Sequence, residues 1–241
     1  MRNTEMPICQ RLTQALLVLT AVAICHPTVA RSQDTITEPD LPDVLVETFD
    51  GDDTTLMLGG QIDFQSAKPP WAVYVADEKF VMENRQDARS LQFNDVAWVK
   101  FPGSDSLEST QDMVISAVVD GEFSGKSGVG ILVGSGKSGK YVAFTVDDKG
   151  RYHVLQKDGR QLRLVHADRH DAIRVGAPNK LTFQVRGAHV VFFANGTKVV
   201  QTLFSKRTST NPGQGARAGV GLAAFGTGRF EFDEVEIKRA N

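Results

Sequence analysis

Apolar and polar residues alternate along most of this chain. In "KLTFQVR" (Lys180–Arg186), Leu181, Phe183 and Val185 fall on one side, with Lys180, Thr182, Gln184 and Arg186 on the other. A period of two marks a half-buried β-strand, because successive side chains point to opposite faces. "YVAFTVDD" from Tyr141 alternates in the same way, with Val142, Phe144 and Val146 as its apolar side. "MVISAVV", "GVGILV", "RYHVLQK", "HVVFFA", "TKVVQTL" and "AGVGLAAF" are short, rich in β-branched or aromatic residues, and bounded by turn formers or charges. "DDKG" (Asp147–Gly150), "KDGR" (Lys157–Arg160) and "ANGT" (Ala194–Thr197) are placed to turn one strand into the next. Asp-Gly and Asn-Gly tolerate the positive φ angles that tight hairpins need. No helical period stands out beyond residue 30, and "DSLESTQDM" has room for one turn. The pattern predicts an all-β protein, an antiparallel β-sandwich or jelly roll whose two sheets bury their Leu, Val and Phe faces against each other.

The first thirty residues break the pattern. Arg2 and Arg11 precede an apolar run, Leu12–Ile24, which is short for a bilayer span and is followed by small residues at Thr28 and Ala30. This is the layout of a secretory signal peptide. The expected organisation is a signal peptide over 1–30, a polar disordered lead-in over 31–43 and one β-sandwich domain over 44–240, secreted or periplasmic. Both cysteines, Cys9 and Cys25, fall in the signal, so the exported chain has no thiol for a disulfide, a metal or a nucleophile. The charge is mildly acidic, with 27 Lys and Arg against 29 Asp and Glu, and no basic stripe. Nucleic acid is therefore not an expected partner. No apolar run beyond the signal is long enough to span a membrane as a helix.

One Gly-rich stretch, "GILVGSGKSGKYVAF" (Gly130–Phe144), looks like a phosphate cradle. A P-loop needs a glycine five residues before Gly-Lys-Ser, and a helix after it. Ile131 stands where Gly136-Lys137-Ser138 needs that glycine, and Asp120 where Gly125-Lys126-Ser127 does. A strand pattern follows. No nucleotide is expected, and the stretch reads as a basic rim loop carrying Lys126, Lys137 and Lys140.

The order of these segments resembles the concanavalin A-like lectin/glucanase superfamily, and within it the laminin-G-like branch and the 3-keto-disaccharide hydrolase domains. "SGVGILV", "YVAFTVDDKGRYHVLQKDG", "NKLTFQVRGAHVVFFANGTKVV", "GVGLAAF" and "FEFDEVEI" carry the likeness from Ser127 to Ile237. "WAVYVADEKFVMEN" (Trp71–Asn84) matches an opening hairpin, with Asp77-Glu78-Lys79 in place of Asp-Gly. The hydrolase-like branch often has an Arg just after its Ser-Gly strand, and Gly130–Val133 has none. The resemblance implies the fold, a concanavalin A-like jelly-roll β-sandwich of two antiparallel sheets, and a carbohydrate as partner.

"EFDEVE" (Glu231–Glu236) fits Glu-x-Asp-x-x-Glu, which in the glucanase members is catalytic. The resemblance would make Glu231 and Glu236 the nucleophile and acid/base, with Asp233 tuning them. In a plain strand residues 231 and 236 point to opposite faces, and a one-residue bulge would bring them to the same one. Phe230, Phe232, Val235 and Ile237 show the same register break. The acids read equally as the solvated face of a strand whose apolar residues face the core.

"HADRHD" (His166–Asp171) reads as a solvated loop, and His153 and His189 as partly exposed strand residues. No closed ligand set stands out, so no metal site is assigned, although a structural calcium stays open. Asn195-Gly196-Thr197 is formally a glycosylation sequon, better explained as a hairpin turn. Trp71, Tyr74, Trp98 and Tyr141 are the aromatic candidates for stacking on a sugar ring. The expected role is a non-catalytic binding or adhesion module for carbohydrate. The alternatives are a glycoside hydrolase using Glu231 and Glu236, acting on a glucan or modified disaccharide, and an envelope protein-interaction module.

Overall fold

A computed structural model describes residues 43–51, 56–57, 60–61, 71–86, 96–100, 113–135, 140–158, 161–186, 189–203 and 218–239. The expected signal peptide, the lead-in up to residue 42 and the Gly136-Lys137-Ser138 turn lie outside them. The strands are β1 (Asp43–Glu47), β2 (Leu56–Met57), β3 (Gly60–Gln61), β4 (Trp71–Ala76), β5 (Lys79–Asn84), β6 (Ala97–Lys100), β7 (Met113–Ser135), β8 (Lys140–Val146), β9 (Arg151–Asp158), β10 (Gln161–Arg169), β11 (Asn179–Arg186), β12 (His189–Ala194), β13 (Thr197–Leu203) and β14 (Ala218–Arg239). Among the described residues there is no helix.

Two long strands organise the whole. β7 and β14 run antiparallel from Ala218 opposite Ser135 to Arg239 opposite Met113. The sequence pattern suggested separate strands for "MVISAVV" and "GVGILV", and again for "AGVGLAAF" and "FEFDEVEI". Each pair is instead one continuous strand, bent where glycines interrupt the apolar run. At Gly226 the register shifts and φ is +92°. A Cβ there would collide with Ser127 Oγ and the backbone of Lys126 and Ser127. Only glycine fits such a bend. The side chain of Asn84 fastens it by donating to the Gly226 carbonyl at 2.9 Å.

Beyond the bend the two strands serve different layers. The first half of β14 and the second half of β7 sit between β6 on one side and β8, β9 and β10 on the other. The other halves sit between β1, β5 and β4 on one side and β11, β12 and β13 on the other. The main core lies between these layers. Phe144 of β8 stacks on Phe192 of β12 with ring centroids 4.7 Å apart, and Phe183 meets Phe192 edge-on at the same distance. All three are fully buried. Each such side chain contributes roughly 1.5–3 kcal/mol by leaving water, so a core of this kind needs no disulfide.

The hairpins form as the turn residues require. Asn195 and Gly196 both have positive φ, and Gly150 closes the β8–β9 turn at +70°. Asp77 and Glu78 also adopt positive φ, so the β4–β5 turn is made without glycine. Asn195 does more than turn. Its Nδ2 donates to the Ala172 carbonyl at 2.7 Å and to Asn179 Oδ1 at 2.9 Å. Its Oδ1 accepts from the Lys180 amide. The sequon asparagine is thus committed to holding the β10–β11 connection against the hairpin.

Candidate functional site

The layer β6–β14–β7–β8–β9–β10 has a second face, turned away from the main core. Strand register puts Trp98, Ala223, Leu132, Ala143, Leu155 and Leu162 on it, because directly paired residues share a side. With Val96, Tyr141 and Phe225 they form a separate apolar cluster. Trp98 and Tyr141, two of the aromatic candidates, therefore stand on one face. Lys157 lies over the Tyr141 ring at 5.6 Å, and burial pushes the Tyr141 hydroxyl well above its usual pKa.

Toward one end of this face the surface opens into a cleft of about 470 Å³. Its lining comes from β7 (Lys126, Ser127), β9 (Arg151, His153), β10 (Leu164, Ala167, Asp168, Arg169) and β14 (Phe225). The His153 and Phe225 rings meet edge to face, 5.6 Å apart at 84°. Leu164 offers an exposed apolar surface at its side. Thr145, beside His153 in the register, is fully buried, and its hydroxyl has no hydrogen-bond partner among the described residues.

Asp147 anchors Arg151 at the end of the cleft. Its carboxylate accepts from the Lys149 and Arg151 amides, both at 2.9 Å, and from Arg151 Nε at 2.6 Å. The side chain is 1% exposed, so Arg151 is anchored on a buried charge. His153 Nε2 lies 3.9 Å from the same carboxylate. Burial lowers the His153 pKa; Asp147 pulls it up and Arg151 pushes it down further.

Three sequence expectations change here. His153, expected to be partly exposed, is buried, because its ring packs edge to face against Phe225. His166–Arg169, expected in a loop, belongs to β10, which pairs with β9 along its length. Lys126, expected in a rim loop, sits inside β7, exposed beside the cleft.

The carboxylates lie on the other layer. The bulge is present: the β7 register shifts between Asp233 and Glu236, and Glu234 has φ of 49°. Phe230, Phe232, Val235 and Ile237 are fully buried in the core, which puts Glu231, Asp233 and Glu236 on the outward face. Glu231 Oε2 accepts from Lys79 Nζ, and Oε1 from Arg229 Nε, both at 2.8 Å. Burial would raise the Glu231 pKa, but these two donors together hold it below the usual carboxylate value. Glu236 Oε2 accepts from Ser116 Oγ at 3.3 Å and lies 3.6 Å from both Lys180 Nζ and Lys238 Nζ. Tyr74 is on the same layer, its hydroxyl bonded to Glu83 at 3.1 Å. Trp71 packs inward, with its ring 5.8 Å from Phe230. The structure thus separates Trp71 and Tyr74 from Trp98 and Tyr141. It brings in Lys126, Arg151, His153, Arg169 and Phe225, none of which the sequence reading assigned to a site. Among the described residues no group of three or more His, Cys, Asp and Glu could hold a metal ion.

Two antiparallel layers built on shared long strands define a concanavalin A-like jelly roll. Solved structures agree. The chain is similar to the endo-1,3-β-glucanase from Streptomyces sioyaensis, with a TM-score of 0.58 and 10% identity over 85% of this chain and 98% of that one. The catalytic domain of a laminarinase from Thermotoga petrophila RKU-1 gives 0.57 and 10% over 85% and 100%. The carbohydrate-binding module CBM66 from Bacillus subtilis gives 0.52 and 11% over 73% and 94%. At such identities the likeness is one of fold. The sequence matches no family model and no curated protein.

Proposed function

We propose that the protein is a carbohydrate-binding module whose ligand lies across the outward face of the β6–β14–β7–β8–β9–β10 layer and ends in the cleft. The observation that carries this reading is the make-up of that face. It joins partly exposed apolar side chains (Trp98 on the face, Leu164 at the cleft), with Tyr141 and Phe225 buried beside them, to charged groups that line one opening (Lys126, Arg151, Asp168, Arg169). Sugars present both an apolar ring face and a rim of hydroxyls, and sites of this mixed kind bind them. Fold neighbours that include a carbohydrate-binding module and two glucanases add support by analogy. Export to the cell exterior or periplasm belongs to the same proposal and rests on the N-terminal pattern alone.

Binding without catalysis is the better reading of the cleft. A glycosidase needs two carboxyl groups flanking the bond to be broken, about 5–5.5 Å apart for retention or wider for inversion. Among the described residues the cleft lining holds one carboxylate, Asp168. Glu231, the other candidate, has both oxygens engaged by cations on a different layer. A broad glycan array combined with pull-downs on insoluble polysaccharides tests the proposal. Binding that Trp98→Ala weakens is the expected result. A folded protein that captures no glycan in either format would refute it.

A further inference from the structure

We propose that the cleft selects saccharides bearing carboxylate or sulfate groups, gripped between Arg151 and Arg169 with Lys126 alongside. This rests on the carbohydrate-binding reading and narrows it to an anionic class. The observation behind it is the strand register. Arg151 of β9 and Arg169 of β10 are directly paired, so their side chains leave the sheet on the same side as neighbours. Like charges placed directly opposite destabilise a sheet. Lys126 reaches the same cleft from β7.

The compensation is incomplete. Asp147 accepts from the Nε of Arg151. Arg169 and Lys126 have no ion-pair partner among the described residues, and the one carboxylate in the lining, Asp168, accepts from the Arg169 backbone amide. The opposite layer follows a different rule. There Lys79 and Arg229 share Glu231, and Lys180 and Lys238 share Glu236. Each of those four cations thus has a carboxylate within ion-pair distance, which Arg169 and Lys126 lack among the described residues.

An anion between the two guanidinium groups would remove their repulsion and complete their hydrogen bonding. Guanidinium forks match the planar geometry of a carboxylate and also suit sulfate oxygens. Arg151 is preorganised for the task, since its Nε is held and its outer nitrogens remain to face a ligand. Leu164 and Phe225 supply the apolar surface for the ring that carries the acid.

Calorimetric titration of the purified chain would use four probes: polygalacturonate, carboxyl-reduced polygalacturonate, heparin and the neutral glucan laminarin. Binding to polygalacturonate or heparin is expected, with affinity falling between 50 and 500 mM NaCl. Polygalacturonate alone identifies a uronate site, and heparin alone a sulfate site. For polygalacturonate, carboxyl reduction should cost about tenfold, the size of one charge-assisted contact. Arg169→Ala should also cost about tenfold, while leaving the melting temperature unchanged or raised, because it removes a like-charge neighbour. Lys126→Ala should weaken binding less. Laminarin bound as tightly as the acidic probes, with no effect of Arg169→Ala, would overturn the anionic preference and leave the carbohydrate reading standing. Capture of neutral glycans only, on a broad array, would do the same. A folded chain that binds no saccharide on the array or in titration would overturn both.

Discussion

Glu231→Gln separates two meanings of the carboxylate row on β14. The side chain is 19% exposed, and its partners Lys79 and Arg229 are 35% and 34% exposed. A hydrogen bond to a charged group contributes about 1.5–3 kcal/mol when well buried. Exposed ion pairs contribute about 0–1 kcal/mol after screening. These two pairs lie between the limits, nearer the exposed one. The glutamine keeps one acceptor oxygen and loses the charge, so a cost of about 1.5 kcal/mol is expected. For a domain of this size that is roughly 3–6 °C in Tm, read by thermal melting followed by circular dichroism at pH 7. The difference should depend on pH. The folded carboxyl titrates below its unfolded value, because the Lys79 and Arg229 bonds outweigh the upward effect of burial. Its contribution is therefore complete above the unfolded pKa, near 4.5, and is lost as pH falls through the lower folded value. Melting of wild type and variant should converge once the pH has fallen below that folded value. An unchanged Tm, combined with loss of an activity that wild type shows on β-glucan, would refute the structural reading and restore a catalytic role to Glu231.

The buried amide latch should matter more. Asn179 is 5% exposed, donates to the Arg174 and Ala177 carbonyls, and accepts from the Arg174 amide and Asn195 Nδ2. Asn179→Ala strands these partners and should cost about 2–4 kcal/mol in urea unfolding, whereas a loss below about 0.5 kcal/mol would show that the latch is replaceable. Gly226→Ala places a methyl against Ser127 and the β7 backbone at a positive-φ bend, and should lower Tm by more than Glu231→Gln does. His153 gives a second pH effect. Its folded pKa lies below 6.5, chiefly through burial, so the unfolded chain takes up the proton first and stability declines as pH drops below about 6.5. His153→Gln should flatten that arm of the Tm–pH curve, and a curve of unchanged slope would assign the loss to other groups.

How much of this could be read in the chain depended on distance along it. Alternation exposed the core directly: Leu181, Phe183 and Val185 are buried as their period requires. The Asn195-Gly196 turn and the bulge before Glu236 are also local signals, and both are present. Glycine was read as an end of strands, yet in β7 and β14 it bends strands that continue. Strong pairing between the two long strands outweighs the weak local preference to stop. The polar residues of His166–Arg169 spoke for a loop, but an edge strand faces solvent and needs no apolar period.

The cleft was hidden for a different reason. Its arginines are eighteen positions apart in the chain, and become neighbours only once β9 and β10 pair in this register. His153 meets Phe225 only because β14 returns beside β7. A motif that carries a name, Glu-x-Asp-x-x-Glu, drew the sequence reading to one half of β14. The other half carries Phe225 into the cleft, and Gly226 marks where the strand passes from one layer to the other. The bend therefore does two things at once. It lets a single strand close the sandwich, and it divides that strand between a layer where Glu231 and Glu236 are each shared by two cations and a layer where Phe225 lines the cleft beside Arg151 and Arg169.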